Sequence, residues 1–250
     1  MSKTILITGA TSGFGEATAR VFAQAGYKVI ITGRRKERLD AFKQSLPTCD
    51  ILPLCFDVTQ KDEVFSAIAN LPHDYKAIDI LVNNAGLALG LGRAPEADLD
   101  DWEKMVDTNI KGLLYVTRAV LPLMVERKSG YIFNLGSIAG NWPYEGGNVY
   151  GATKAFVKQF SLNLRTDLRG TNVRVTNIEP GFSQTEFSDV RFKGDKERAD
   201  QVYKGTKALD KEDIANTIFT LSQLPEHVNV NRIEIMPTKQ SCGGLFVERS

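Results

Sequence analysis

The chain has 250 residues, a formal net charge of +1, 24% charged side chains, 21 glycines and 9 prolines. These figures exclude collagen-like and disordered classes. They also exclude a general nucleic-acid binder, which needs a basic face to displace counterions.

Short apolar runs alternate with helix-period segments from end to end. Strands are expected at Thr4–Thr8, Lys28–Thr32, Ile51–Phe56, Asp79–Asn83, Tyr131–Gly136, Val173–Ile178 and Arg232–Met236. Most are continuous runs rich in Ile, Leu and Val, which suits strands buried on both faces of a parallel sheet. After the first strand, Ala17, Val21, Phe22 and Ala25 repeat at helical spacing, and Gly26 stands where a C-terminal cap belongs. Further helices are expected over Glu37–Leu46, Lys61–Leu71, Trp102–Met124, Tyr150–Leu168 and Lys211–Leu224, with Pro122 bending or ending the Trp102–Met124 helix. The alternation predicts an α/β fold: one doubly wound Rossmann-type domain over residues 1–250, its seven-stranded parallel sheet flanked by helices. Residues 182–208, after the sixth strand, mix Phe182, Phe187 and Phe192 with many charges and are expected to form a lid.

The longest stretch without a charged side chain, Ser129–Tyr144, is too short and polar to span a bilayer, so no membrane association is expected. No signal-peptide pattern follows Lys3. Cys49, Cys55 and Cys242 form no CxxC pair, which suits free thiols in a reducing cytoplasm. His73 and His227 lack metal-ligand spacing, and no metal is expected.

Thr8-Gly9-Ala10-Thr11-Ser12-Gly13-Phe14-Gly15 follows the first strand and opens the first helix. In that strand–loop–helix context, Gly9 allows the tight turn, Gly13 lets the backbone approach a pyrophosphate, and Gly15 lets helix and strand pack closely. A pyrophosphate there faces unpaired N–H groups and the positive end of the helix dipole. An NAD site places a carboxylate about 20 residues past the glycines. This chain instead reads Thr32-Gly33-Arg34-Arg35 and has no carboxylate before Glu37. Guanidinium forks can bind a 2′-phosphate, so NADP(H) is expected over NAD(H). A solvated basic turn is the bland alternative, but cations at a helix N-terminus oppose the dipole.

Tyr150 and Lys154 are four residues apart, on one face of a helix. A free tyrosine has a pKa near ~10, and a neighbouring ammonium lowers it toward a useful acid/base. Ser137, at the end of the fifth strand, could hold the substrate oxygen, and Asn109 could anchor a water that carries the proton from Lys154 to solvent. Tyr203 and Lys207 repeat the spacing, but they follow no expected strand and read as a surface pair.

Thr8–Gly15, Asn83-Asn84-Ala85-Gly86, Asn109, Ser137, Tyr150 with Lys154, and Pro180-Gly181 with Thr185 together resemble the short-chain dehydrogenase/reductase family over essentially the whole chain. The resemblance implies that Tyr150 is the general acid/base and that Ser137 orients the substrate. It implies that Lys154 binds the nicotinamide ribose and that Asn109 completes a proton relay. Asp57 and Val58 resemble the pair that contacts adenine, with Asn84 beside them. Thr185 resembles a threonine near the carboxamide and phosphates. Asn83–Gly90, Trp142–Phe156, Phe160–Leu168 and Glu186–Gly194 are similar to the NADP-dependent 3-hydroxy acid dehydrogenases, also described as L-allo-threonine/serine dehydrogenases and malonic semialdehyde reductases. Most of these are tetramers, so a homotetramer is implied.

The substrate is expected to be a small anionic aldehyde or hydroxy acid. Gly-rich turns around Ser137 leave little room, and Trp142, Pro143 and Tyr144 narrow it. Arg191 beside Phe192 suits a carboxylate fork with an apolar backing; a solvated lid charge is the equal alternative. Glu145 and Asn148 could instead read an amino or hydroxyl group. Sulfoacetaldehyde reductases resemble the same subgroup, so reduction of sulfoacetaldehyde to isethionate is the competing enzymatic reading. A dinucleotide-sensing regulator without turnover is the competing reading of another class, and the full Ser137, Tyr150, Lys154 and Asn109 set argues against it.

Overall fold

The computed structural model describes residues 2–184, 204–243 and 247. Its strands are β1 (Thr4–Ile7), β2 (Lys28–Gly33), β3 (Ile51–Cys55), β4 (Ile78–Asn83), β5 (Gly130–Leu135), β6 (Val173–Pro180) and β7 (Arg232–Ile235). All seven expected strands are present, each end within two residues of its expected position. They form one sheet in the order β3-β2-β1-β4-β5-β6-β7, and every pairing is parallel.

β1 carries the reason for the two-sided architecture. All four of its side chains are buried, and they alternate between two apolar layers. Ile5 and Ile7 join Phe22 of α1 (Gly13–Gln24), Phe42 of α2 (Lys36–Gln44) and Ile218 of α7 (Lys211–Ser222). Leu6 joins Val64 of α3 (Lys61–Ala69), Val120 of α5 (Leu113–Arg127) and Leu164 of α6 (Asn148–Asp167) on the opposite face. β1 pairs with both β2 and β4, so the chain order reverses there and opens a crevice at the carboxyl ends of these strands.

The single helix expected over Trp102–Met124 is corrected. The chain forms α4 (Leu99–Val106), a π-helical turn at Asp107–Gly112, and then α5. A widened turn adds a residue without changing the apolar composition, so periodicity does not report it. Pro122 does not end the helix, which runs on to Arg127 and stops at a left-handed Lys128 with φ 51°. Pro122 and Arg118, whose carbonyl loses its intrahelical donor, are both exposed, so the missing bond falls on the solvent side.

The three cysteines are unpaired. Among the described residues no helix is long and apolar enough to cross a membrane, and no cluster of three or more His, Cys, Asp or Glu could hold a metal. Most of the expected lid, including Thr185, Phe187, Arg191, Phe192 and Tyr203, lies outside the described residues. Its described ends meet: Ser183 bridges to Leu209, and Leu209 N donates to the Phe182 carbonyl at 3.0 Å.

Candidate active site

The loop Thr8–Gly15 lies in the crevice and is held from across the switch point. Asn84, just after β4, donates through Nδ2 to the Thr8 carbonyl at 2.9 Å and the Gly9 carbonyl at 3.1 Å. Gly9 turns with φ +66°. Gly15 is a packing residue: a Cβ there would lie 2.5 Å from both Asn84 Nδ2 and the Gly9 carbonyl oxygen. The resulting cleft is lined by Gly9, Thr11, Ser12, Gly13 and Phe14, by Arg34 and Arg35, by Asp57 and Val58, and by Asn84 and Gly86. It is also lined by Gly33 and Ala85, which stand inside the quoted motifs, and by Phe56, Leu87 and Thr108, to which the sequence assigns no role.

The cleft fits a dinucleotide phosphate on its own chemistry. Ser12 makes no side-chain bond to the first turn of α1, so those N–H groups are open to an anion. Arg35 reaches over the loop and donates to Thr11 Oγ1 at 2.8 Å and Ser12 Oγ at 3.2 Å. Arg34 is exposed and lies 3.5 Å from Asp57 Oδ2. Asp57 Oδ1 accepts from Thr59 N at 2.9 Å, which fixes the carboxylate that steadies Arg34. Two guanidinium groups at the mouth of a polar cleft match a phosphate monoester.

α6 starts at Asn148, so Tyr150 sits in its first turn and Lys154 one turn further. Both are buried. Lys154 Nζ donates to the Leu135 carbonyl at 2.7 Å and lies 5.8 Å from the centroid of the Tyr150 ring. Burial lowers its pKa from 10.5 to about 8. Ser137 follows β5, is half-buried, and caps the turn Ile138–Gly140 by accepting from Ala139 N at 3.1 Å. That turn is pressed onto α6, because a Cβ on Gly140 would lie 2.7 Å from the Lys154 carbonyl carbon.

Asn109 stands in the π-helical turn and is buried. Its Oδ1 accepts from Leu87 N at 2.8 Å, and its Nδ2 donates to the Leu87 carbonyl at 2.8 Å and to Thr153 Oγ1 at 3.0 Å. Asn109 Oδ1 and Lys154 Nζ converge on Gly86, 3.2 and 3.4 Å from where its Cβ would be. The cleft and the Tyr150–Lys154 helix therefore adjoin at Gly86.

A model of the short chain dehydrogenase family matches residues 3–196. The chain belongs to the short-chain dehydrogenase family. It is 59% identical over 247 residues to an NADP-dependent 3-hydroxy acid dehydrogenase of Salmonella typhi, covering 98% of this chain and 99% of that protein. A serine 3-dehydrogenase of Rhizobium radiobacter is 54% identical over 249 residues, covering 100% and 99% respectively. The closed form of a serine dehydrogenase complexed with NADP+ superposes with a TM-score of 0.95 at 57% identity, covering 99% of this chain and all of that one.

In this short-chain dehydrogenase the remaining expected residues fall as follows. Tyr144 packs in one apolar cluster with Tyr150, Ala88 and Met105. Glu145 pairs with Arg93, and Asn148 donates to the Gly92 carbonyl at 3.1 Å, so these side chains knit the loop after β4 to the start of α6. Pro180 is the last residue of β6, and Gly181 N donates to the Ile235 carbonyl at 2.7 Å. Thr185 and Arg191 lie outside the described residues. Thr153, which holds the Asn109 amide, carried no signal beyond its place inside the Tyr150–Lys154 stretch.

Proposed function

We propose that this chain is an NADP(H)-dependent oxidoreductase that interconverts small anionic 3-hydroxy acids and the corresponding aldehydes or ketones. The carrying observation is the buried Lys154 ammonium held 5.8 Å from the Tyr150 ring, on a helix that adjoins the cleft at Gly86. The names and dinucleotide of the similar dehydrogenases support the substrate class and the cofactor. Arg34 and Arg35 support the preference for a 2′-phosphate.

The loop Thr8–Gly15 with Arg34 and Arg35 would hold NADP(H), which would supply or take up the hydride. Tyr150 gives its phenolic proton to the substrate oxygen as the alcohol forms and takes it back in the reverse direction. Lys154 favours the phenolate by placing a positive charge close to it. Ser137 orients the substrate oxygen through its hydroxyl. Asn109 has its amide hydrogens committed to Leu87 and Thr153, so its part in a proton relay falls to the second lone pair of Oδ1, an atom that, like Lys154 Nζ, lies against Gly86. A dinucleotide sensor would not need a buried ammonium beside a phenol.

Association as a homotetramer forms part of the same reading. An apolar groove between α3 and α5, lined by Phe65, Ile68, Ala119, Pro122 and Leu123, supports contact between copies. The reading places the enzyme in the cytoplasm, in keeping with its three free cysteines.

The test follows loss of NADPH absorbance with malonic semialdehyde, sulfoacetaldehyde and neutral aldehydes of equal length. Fast turnover of the carboxylate, abolished in Tyr150→Phe, is expected. A preference for sulfoacetaldehyde would reassign the substrate, and equal rates in wild type and Tyr150→Phe would remove the acid/base assignment.

A further inference from the structure

Glu179 is wholly buried near the end of β6, and the proposed chemistry does not use its carboxyl group. Three donors bond its oxygens. Oε1 accepts from Asn177 Nδ2 at 2.6 Å, and Oε2 accepts from Asn141 Nδ2 at 2.8 Å and from Arg232 at 3.1 Å. A second carboxylate stands alongside, because Glu234 of β7 pairs in register with Glu179. Like charges directly opposite one another across strands repel.

The Arg232 guanidinium, 3.1 Å from Glu179 Oε2 and 3.9 Å from Glu234 Oε2, offsets that repulsion, and Asn141 bridges the same pair. Its amide nitrogen lies 2.8 Å from Glu179 Oε2 and 3.0 Å from Glu234 Oε2, so its two hydrogens serve one carboxylate each. Its oxygen accepts from Lys158 Nζ at 2.8 Å, one turn beyond Lys154 on α6. Asn141 ends the turn that Ser137 caps. On the other side of Ser137, a Cβ on Gly136 would lie 2.5 Å from Asn177 Oδ1. The backbone on both sides of Ser137 is thus fixed by the group of polar side chains centred on Glu179.

We infer that Glu179, acting through Asn141, is a positioning residue that sets where the Ser137 hydroxyl meets the substrate. The inference rests on the proposed role of Ser137. A glutamine could keep its oxygen toward Asn141 and Arg232 with the Asn177 amide turned over to accept its NH₂, but it would lack the negative charge that pairs with Arg232. Burying an ion pair is poor value for stability alone, since well-packed apolar groups often do as well.

The experiment is a pair of double-mutant cycles built on Ser137→Ala, with Asn141→Ala in one and Glu179→Gln in the other. Asn141→Ala and Glu179→Gln are each expected to lower kcat for the best aldehyde about tenfold or more, while NADPH affinity by fluorescence titration changes less than about twofold. In the double variants, kcat should equal that of Ser137→Ala alone, because no hydroxyl is left to misplace. Losses that multiply in both cycles, or wild-type kcat in both single variants, overturn the inference. Should Glu179→Gln not fold, the cycle at the half-buried Asn141 decides. Ser137→Ala turning over at the wild-type rate would instead refute the role of Ser137, and the inference would fall with it.

Discussion

Lys154 Nζ donates at 2.7 Å to the carbonyl of Leu135, the last residue of β5 and two residues ahead of Ser137. One bond thus ties the Tyr150 helix to the strand that presents Ser137. It also takes the ammonium out of water, and burial lowers its pKa to about 8.

That burial should be visible as stability. The unfolded lysine titrates near 10.5 and the folded one near about 8, so below pH 8 both states hold the proton and the folded state bears the whole cost. Between those values the unfolded chain binds more protons, and stability attributable to this group rises with pH. Lys154→Met should therefore be inactive yet more stable than wild type at pH 7 without cofactor, by about 1–3 kcal/mol, or several degrees in Tm. The advantage should shrink steadily toward pH 10.5. Thermal scans at pH 7 and near pH 10 check this, and an equal offset at both would contradict it.

The turn after Ser137 leads to a steric prediction. At Gly140 a methyl group would lie 2.7 Å from the Lys154 carbonyl carbon and 2.8 Å from Ala155 N, which are backbone atoms that cannot swing aside. Gly140→Ala should push the turn off α6, costing about 1–3 kcal/mol and most of kcat. Gly170→Ala is the control. Gly170 has φ +84° but nothing within 4 Å of the added carbon, so it bears backbone strain without the clash and should keep its activity. Comparable activity losses in the two variants would show that the contact with α6 is not what matters.

Asn109 gives a third prediction, again separable into stability and rate. Its amide satisfies both backbone groups of Leu87 and the Thr153 hydroxyl. Asn109→Ala leaves three polar groups without these partners and should cost about 1–3 kcal/mol, read as a lower urea midpoint with an unchanged m-value. Asn109→Asp keeps the acceptor for Leu87 N but loses both donated bonds, so it should recover only part of that loss. Full recovery by aspartate would show that the Leu87 N–H bond alone matters.

Much of this was legible in the sequence, for a physical reason. Strands buried on both faces read as unbroken apolar runs, and the glycine loop and the Tyr150–Lys154 pair are local in the chain. The π-helical turn under Asn109 was not legible, because one extra residue per turn leaves composition unchanged. Nor were Phe56 and Thr108, which line the cleft only because the end of β3 and the π-helical turn meet there. The network around Glu179 was hidden for the same reason: Asn141, Glu179 and Arg232 are far apart in the chain and meet only when β6 and β7 pair.

The two arginines at the end of β2 should prove unequal. Arg34 is exposed and sits 3.5 Å from Asp57, so its removal leaves the loop Thr8–Gly15 untouched. Arg35 bonds Thr11 and Ser12 within that loop, so its removal disturbs the ground on which either dinucleotide rests. A charge-assisted bond to a phosphate contributes about 1.5–3 kcal/mol, so Arg34→Ala should weaken NADPH about 10- to 100-fold and NADH less than about threefold. Arg35→Ala should weaken both, NADPH more. In the double variant the residual NADPH affinity should also lose most of its dependence on salt, since exposed charge pairs are what ionic strength screens. Fluorescence titrations of both cofactors at low and high salt give all of these values. Equal losses of NADPH and NADH in Arg34→Ala would mean that this guanidinium does not recognise the 2′-phosphate.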